Sequence, residues 1–255
     1  MKKNLILLVV LFIGNISLSG EDESYYNTAL NFYKNANITE ALKSLEINSK
    51  SPNFSYRDFI LLSHCYWDSG NVNKSIDSLY SALKLKPNDT EIYIELIKAH
   101  ISSNRYKGAL ELIETAEAKF PNSKELKLQK AFITGKYGKI NTALAIIETL
   151  KQESPNDPRP LAIESNLYFI QGDLEKAEMS IKWAISLQEN SPFYYNNLAL
   201  IYEKMSENDM KSGNKEKAKN NLMEADKTIQ KAISLKLFPQ MTETQKRIQD
   251  KLSHL

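Results

Sequence analysis

Few residues in this chain carry side chains that could do covalent, acid–base or metal chemistry together. The histidines are His64, His100 and His254, and the single cysteine is Cys65. A zinc site needs three or four ligands at suitable spacing, and a thiol nucleophile needs a base beside it. His64 adjoins Cys65 in sequence, but neighbours on a helix point about 100° apart, so Cys65 reads as a small apolar filler. His100 falls in a column of packing residues and reads as a core or edge histidine. No phosphate-cradling glycine loop and no Gly-x-Ser-x-Gly turn is present. The expectation is no enzyme, with no catalytic residue, no metal and no cofactor.

The chemistry the chain does offer is recognition. Three rows of residues recur every 34 positions: Tyr26, Ile60, Ile94, Leu128, Ala162 and Asn196; Leu30, His64, Lys98, Phe132, Asn166 and Leu200; and Tyr33, Trp67, Ile101, Gly135, Phe169 and Glu203. Most are apolar or aromatic, the types that anchor a bound helix or peptide in a groove. Two readings stay open. These side chains form such a groove, or they pack half-buried against the first helix of the next unit.

The elements that position these rows follow from the same period. Tyr25, Phe59, Tyr93, Lys127, Leu161 and Tyr195 form one column, with Ala29, Ser63, Ile97, Ala131, Ser165 and Ala199 four residues on. Phe32, Tyr66, His100, Thr134, Tyr168 and Tyr202 follow three further. Positions i, i+4 and i+7 share a helix face, and large, small, large is a packing pattern. A second amphipathic helix shows in Ala41, Ser75, Ala109, Ala143 and Ala177, followed four later by Leu45, Leu79, Ile113, Ile147 and Ile181. Between the two helices stand Ala36, Gly70, Asn104, Gly138 and Gly172, mostly residues that accept the left-handed conformation of a tight helix end. Asn37 with Glu40 three later suits a capping box, and Asp157 before Pro158 and Ser191 before Pro192 suit an N-cap followed by a first-turn proline.

These columns resemble the tetratricopeptide repeat (TPR), with units at about 22–55, 56–89, 90–123, 124–157 and 158–191. The fourth unit has Lys127 and Lys130 at usually apolar places and is expected to be the least stable. The sixth, 192–238, is elongated: its turn glycine, Gly213, comes seven residues late, and its tip, from Glu203 to Asn214, is expected to be mobile. A capping helix is expected at 241–253, started by Thr242 or Thr244. The resemblance implies an all-α solenoid, a right-handed superhelix of antiparallel helix pairs whose concave side is lined by the first helices. The candidate groove is then Tyr26, Leu30, Ile60, His64, Trp67, Ile94, Lys98, Phe132, Asn166, Phe169, Asn196 and Asn197. Relatives that grip acidic chaperone tails use Lys and Asn where this chain has Tyr26 and Leu30. Asn166, Asn196 and Asn197 resemble asparagines that some relatives use to hold a ligand's backbone, with Lys98 and Arg159 the nearest cations; capping of turns is the competing role.

The chain's start carries a different signal. Lys2 and Lys3 precede an apolar run from Leu5 to Ile13, and Ser17 and Ser19 offer a small-x-small cleavage site. This is the layout of a secretory signal peptide over 1–20, too short to span a bilayer comfortably. The expected protein is bacterial and exported, periplasmic or secreted, without membrane insertion after cleavage. Removing the two lysines turns 33 basic against 31 acidic residues into 31 against 31, which disfavours a nucleic-acid partner. With 42% hydrophobic and 25% charged residues the chain has the composition of an ordered soluble protein. The function expected is a scaffold or adaptor that binds a segment of another envelope protein. The alternative is a homo-oligomer that self-associates through a solenoid end or the long sixth hairpin.

Overall fold

The computed structural model describes residues 22–254, so the segment read as a signal peptide lies outside the described residues. Thirteen α-helices and no strand occur among the described residues. The chain divides into two compact units, 1–126 and 127–255.

In the first unit, α1 (Asp22–Lys34) pairs with α2 (Ile38–Asn48), α3 (Tyr56–Asp68) with α4 (Val72–Leu85), and α5 (Thr90–Ser102) with α6 (Tyr106–Lys119). In the second, α7, which opens at Lys124 and runs to Lys136, precedes α8 (Ile140–Glu153). Then come α9 (Pro158–Gln171) with α10 (Leu174–Leu187), α11 (Pro192–Lys211) with α12 (Lys215–Leu235), and a closing α13 (Pro239–Ser253).

One hydrogen-bond pattern ends the first helix of every hairpin. Ala36, Gly70, Asn104, Gly138, Gly172 and Gly213 all have positive φ, between 58° and 85°. The amide that follows each donates to the carbonyl five residues before itself: Asn37 to Phe32, Asn71 to Tyr66, Arg105 to His100, Lys139 to Thr134, Asp173 to Tyr168 and Asn214 to Asp209. This is the Schellman closure, which satisfies a carbonyl the helix end would leave unpaired. Glycine is the cheapest occupant of that conformation; Ala36 and Asn104 adopt it with a side chain.

The small columns sit in the helix interfaces. Ala29, Ala41, Ala109, Ala131, Ala143, Ala177 and Ala199 have no exposed surface. Where serine replaces alanine the hydroxyl is satisfied locally: Ser63 and Ser75 bond to each other at 2.9 Å, and Ser165 donates to the Ala177 carbonyl at 2.7 Å. Buried hydroxyls need such partners.

Several local expectations change. Asn37 accepts from the Glu40 amide, while the reciprocal capping box forms instead at Ser55 and Asp58. Asp157 caps α9 as expected, but Ser191 makes no side-chain cap bond. The last helix starts at Pro239 and not after Thr242 or Thr244; Phe238 occupies its cap position, anchored 4.9 Å from the Phe193 ring. Proline at a first turn loses no hydrogen bond, because that amide has no helical partner. Thr244 lies inside α13 and bonds back to the Gln240 carbonyl.

The long hairpin is helical almost to its turn, with 20 residues in α11 and 21 in α12. Its tip is held by polar contacts where apolar residues run out. Asp209 accepts from Asn221 at 2.7 Å and pairs with Lys217 at 3.3 Å. In the fourth hairpin, Lys127 stands at the aromatic column and meets Glu153 at 2.7 Å.

Candidate partner-binding site

In the first unit the candidate residues come from α1, α3 and α5. Tyr26, Ile60, Trp67 and Lys98 are half-buried on these first helices. Leu30 and Ile94 are not available to a ligand, with exposures of 7% and 3%. Leu30 packs in the cluster of Ala29, Ala41, Leu45, Leu61 and Cys65. The rows predicted as groove therefore split: a residue between two stacked first helices is core, and its neighbours one step around the helix remain accessible.

Around Trp67 the unit holds a polar cluster. His64 is buried beneath the surface, its ring 6.3 Å from that of Tyr33. Its Nε2 stands 3.5 Å from Glu95, beyond the usual hydrogen-bond length, and neither ring nitrogen has a hydrogen-bond partner among the described residues. Lys98 lies 3.7 Å from the same carboxylate. Burial alone would raise the Glu95 carboxyl, but His64 and Lys98 outweigh it and hold it below the ordinary carboxylate value. The Tyr33 hydroxyl donates to Asp68 at 2.8 Å, and burial together with that bond pushes its pKa up. Ser63, His64, Trp67, Ser75 and Glu95 line a cavity of about 20 Å³, room for one small polar group. Burial also pushes the neighbouring Cys65 thiol up to about 12, which keeps it a thiol and unreactive.

Glu95 and Asp68 were missed in the sequence. Glu95 belongs to the following repeat and meets His64 only once α5 lies beside α3. Its spacing of three from Lys98 is the one available signal.

In the second unit Phe132, Asn166, Phe169, Asn196 and Asn197 are all half-buried, on α7, α9 and α11. Asn197 donates to Asn166 at 3.5 Å, so those two amides meet. The Asn196 side-chain oxygen is buried without a hydrogen-bond partner among the described residues. Arg159 does not join them: its guanidinium folds onto Asp157 at 2.6 Å, at the start of its own helix. Lys98 belongs to the other unit. Lys136 lies over the Phe132 ring at 5.6 Å.

His100 packs in the core against Tyr80, whose hydroxyl is 3.3 Å from Nε2, and burial lowers its pKa. Among the described residues no group of three His, Cys, Asp or Glu is arranged to hold a metal ion, and no helix is long and apolar enough to cross a membrane.

This geometry has known counterparts. Residues 66–131 match the tetratricopeptide repeat family. The TPR repeat-containing protein YpiA of Bacillus subtilis (strain 168) is 28% identical over 126 residues, 49% of this chain and 29% of that protein. The chain thus spans under a third of the curated relative it matches. Among solved structures, PilW, a widely conserved type IV pilus biogenesis factor, superposes with a TM-score of 0.62 at 18% identity, over 80% of this chain and 92% of that one. YrrB, a TPR protein with an unusual peptide-binding site, gives a TM-score of 0.50 at 17% identity, over 65% and 85%. At these identities the structural likeness carries the fold alone. The repeat columns, the recurrent helix closures and the family match together show tetratricopeptide repeats over residues 66–131 and an all-α fold similar to that of tetratricopeptide-repeat solenoids.

Proposed function

We propose that this TPR scaffold is exported and works in the cell envelope as an adaptor, holding a peptide or helical segment of another protein on the first-helix faces. A fold of this type is suited to protein–protein interaction. The observation that carries the reading is the half-buried Trp67 beside a small cavity lined by buried His64, whose Nδ1 has no hydrogen-bond partner and whose Nε2 has only the 3.5 Å approach of Glu95. A buried polar group left unpaired is costly, and an aromatic beside a polar pocket is the usual make-up of an interface anchor. A partner's polar side chain in the cavity and an apolar one on Trp67, Tyr26 and Ile60 would satisfy both. That YrrB is described by a peptide-binding site lends the reading support by analogy.

The Trp67→Glu variant is expected to lose partner binding by at least about 30-fold, the size of one anchor residue worth ~2 kcal/mol. Its circular dichroism should stay that of the parent. The partner is captured first by photo-crosslinking in cells from position 67; undiminished affinity in the variant would sink the proposal.

Export rests on Lys2, Lys3 and the apolar run Leu5 to Ile13. Protein recovered from the cell envelope or medium should begin at residue 20 or 21 by N-terminal sequencing. Recovery from the cytosol with Met1 in place would remove this part of the reading.

A further inference from the structure

We propose that the side chain the first-unit site takes from its partner is a lysine, with the ammonium seated in the small cavity and the methylene stem laid on Trp67. This rests on the adaptor reading above and specifies the chemistry of the segment it holds. The cavity, about 20 Å³, has room for one water-sized group. To its lining α3 contributes Ser63, His64 and Trp67, α4 contributes Ser75, and α5 contributes Glu95 and Ser102. Among the described residues that line it, Glu95 is the one carboxylate, and no lysine or arginine joins it. That carboxylate is poorly served with donors. His64 Nε2 approaches one oxygen to 3.5 Å and Lys98 Nζ the other to 3.7 Å. Both are longer than an ordinary charge-assisted hydrogen bond of about 2.7–2.9 Å. Against the effect of burial, the same two groups keep Glu95 ionised at neutral pH.

The histidine calls for a donor at the same place. Facing a carboxylate, which can only accept, neutral His64 carries its proton on Nε2, and Nδ1 is then a lone-pair acceptor. That nitrogen is buried without a partner among the described residues. Ser63 and Ser75 are already bonded to each other. The site therefore presents a carboxylate and an imidazole nitrogen that both lack a close donor. An ammonium supplies three donors from one compact charge. A hydroxyl has a single hydrogen and cannot serve both acceptors. A carboxylate or phosphate would meet Glu95 as a like charge, and a planar guanidinium with its five donors is larger than the cavity. The approach suits a lysine as well, because an aromatic face attracts a cation and covers its apolar stem. Trp67, half-buried, lines the same cavity. Lys98 reaches Glu95 from outside the lining, so it is a competitor for the carboxylate and not part of the seat.

A display library of random 12-residue peptides, panned on the parent protein and counter-panned on Trp67→Ala, tests this; that variant removes the indole without adding a charge. The Trp67-dependent peptides should share one lysine beside apolar residues. Synthetic copies should bind the parent at least about tenfold more weakly when that lysine is replaced by norleucine, acetyl-lysine or arginine, the loss expected for a hydrogen bond to a charged group. On the protein side, Glu95→Gln should weaken the same peptides by at least about tenfold. Lys98→Met should leave them as tight or tighter, because a competing cation is gone. The changes made in the peptide leave the protein untouched, so they decide the matter even where Glu95→Gln folds poorly. Trp67-dependent peptides without a lysine, equal binding of the norleucine copy, or weakening on Lys98→Met would overturn the lysine while the first-helix site stands. Recovery of no Trp67-dependent peptide would remove the site and its lysine together.

Discussion

Gly135→Val is expected to weaken the second unit by about 2–3 kcal/mol, the upper range for overpacking a filled core. A Cβ at position 135 would stand 2.1 Å from Cδ2 of Leu167 and 3.7 Å from Cβ of Ala143. Leu167 is itself buried, in the cluster with Leu128, Ala131, Ile147 and Leu150, so it cannot swing into solvent. Glycine in a helix interior forgoes roughly 1 kcal/mol relative to alanine, so its presence in α7 runs against local preference and is explained by the approach of α9. Even Gly135→Ala should therefore gain nothing, because the propensity gain is offset by the displaced leucine. Leu167→Ala alone should cost about 2–5 kcal/mol, yet combined with Gly135→Val it should cost less than the sum by more than about 1 kcal/mol, since one side chain fills the space of the other. Urea unfolding followed by circular dichroism measures all four proteins. A neutral Gly135→Val, or strict additivity, would show that the contact carries no such constraint.

Lowering the pH should release α13 before the rest of the second unit. Burial would raise the Glu203 carboxyl, but the Arg247 and Lys251 bonds outweigh it and hold the group below its ordinary value. Glu207 is lowered chiefly by its bond to Lys251, against the effect of burial. A carboxyl depressed in the folded state contributes stability that is present above the unfolded value, about 4.3 for glutamate, and lost as the pH falls through the folded one. The clasp is thus whole above about pH 5 and weakens progressively below about pH 4.3. Glu203→Gln at neutral pH should mimic part of the loss, about 1–2 kcal/mol, a charged hydrogen bond discounted because Arg247 and Lys251 are partly solvated. Amide hydrogen exchange, corrected for its intrinsic pH dependence, should show protection falling first at the α13 amides around Arg247 and Ile248. Equal protection of α13 at pH 6 and pH 3 would contradict this account.

How legible the molecule was differs from residue to residue. The helix ends at Ala36, Gly70, Asn104, Gly138 and Gly172 could be placed because a left-handed residue is a local requirement that the sequence answers locally. The elongated hairpin was readable from the late Gly213 for the same reason. The contacts at its tip were not, because Asp209 finds Asn221 and Lys217 across the hairpin, and such a pairing has no marker in either helix alone. The start of α13 was misplaced because two threonines looked like caps, while the deciding contact is the Phe238 ring on Phe193, 45 residues away. Among the candidate site residues, Leu30 and Ile94 lie in the same rows as His64 and Tyr26 but are closed off by packing.

The helical hairpins and their 34-residue repeat could be read from the residues alone, because a period of large and small residues at that spacing buries both helices of each unit against each other. Which row members remain accessible, which polar groups meet, and that a cleft opens beside α13 emerge only once the helices are packed. Those depend on which side chains from distant repeats come within a few ångströms of each other, and a column of residue types does not contain that distance.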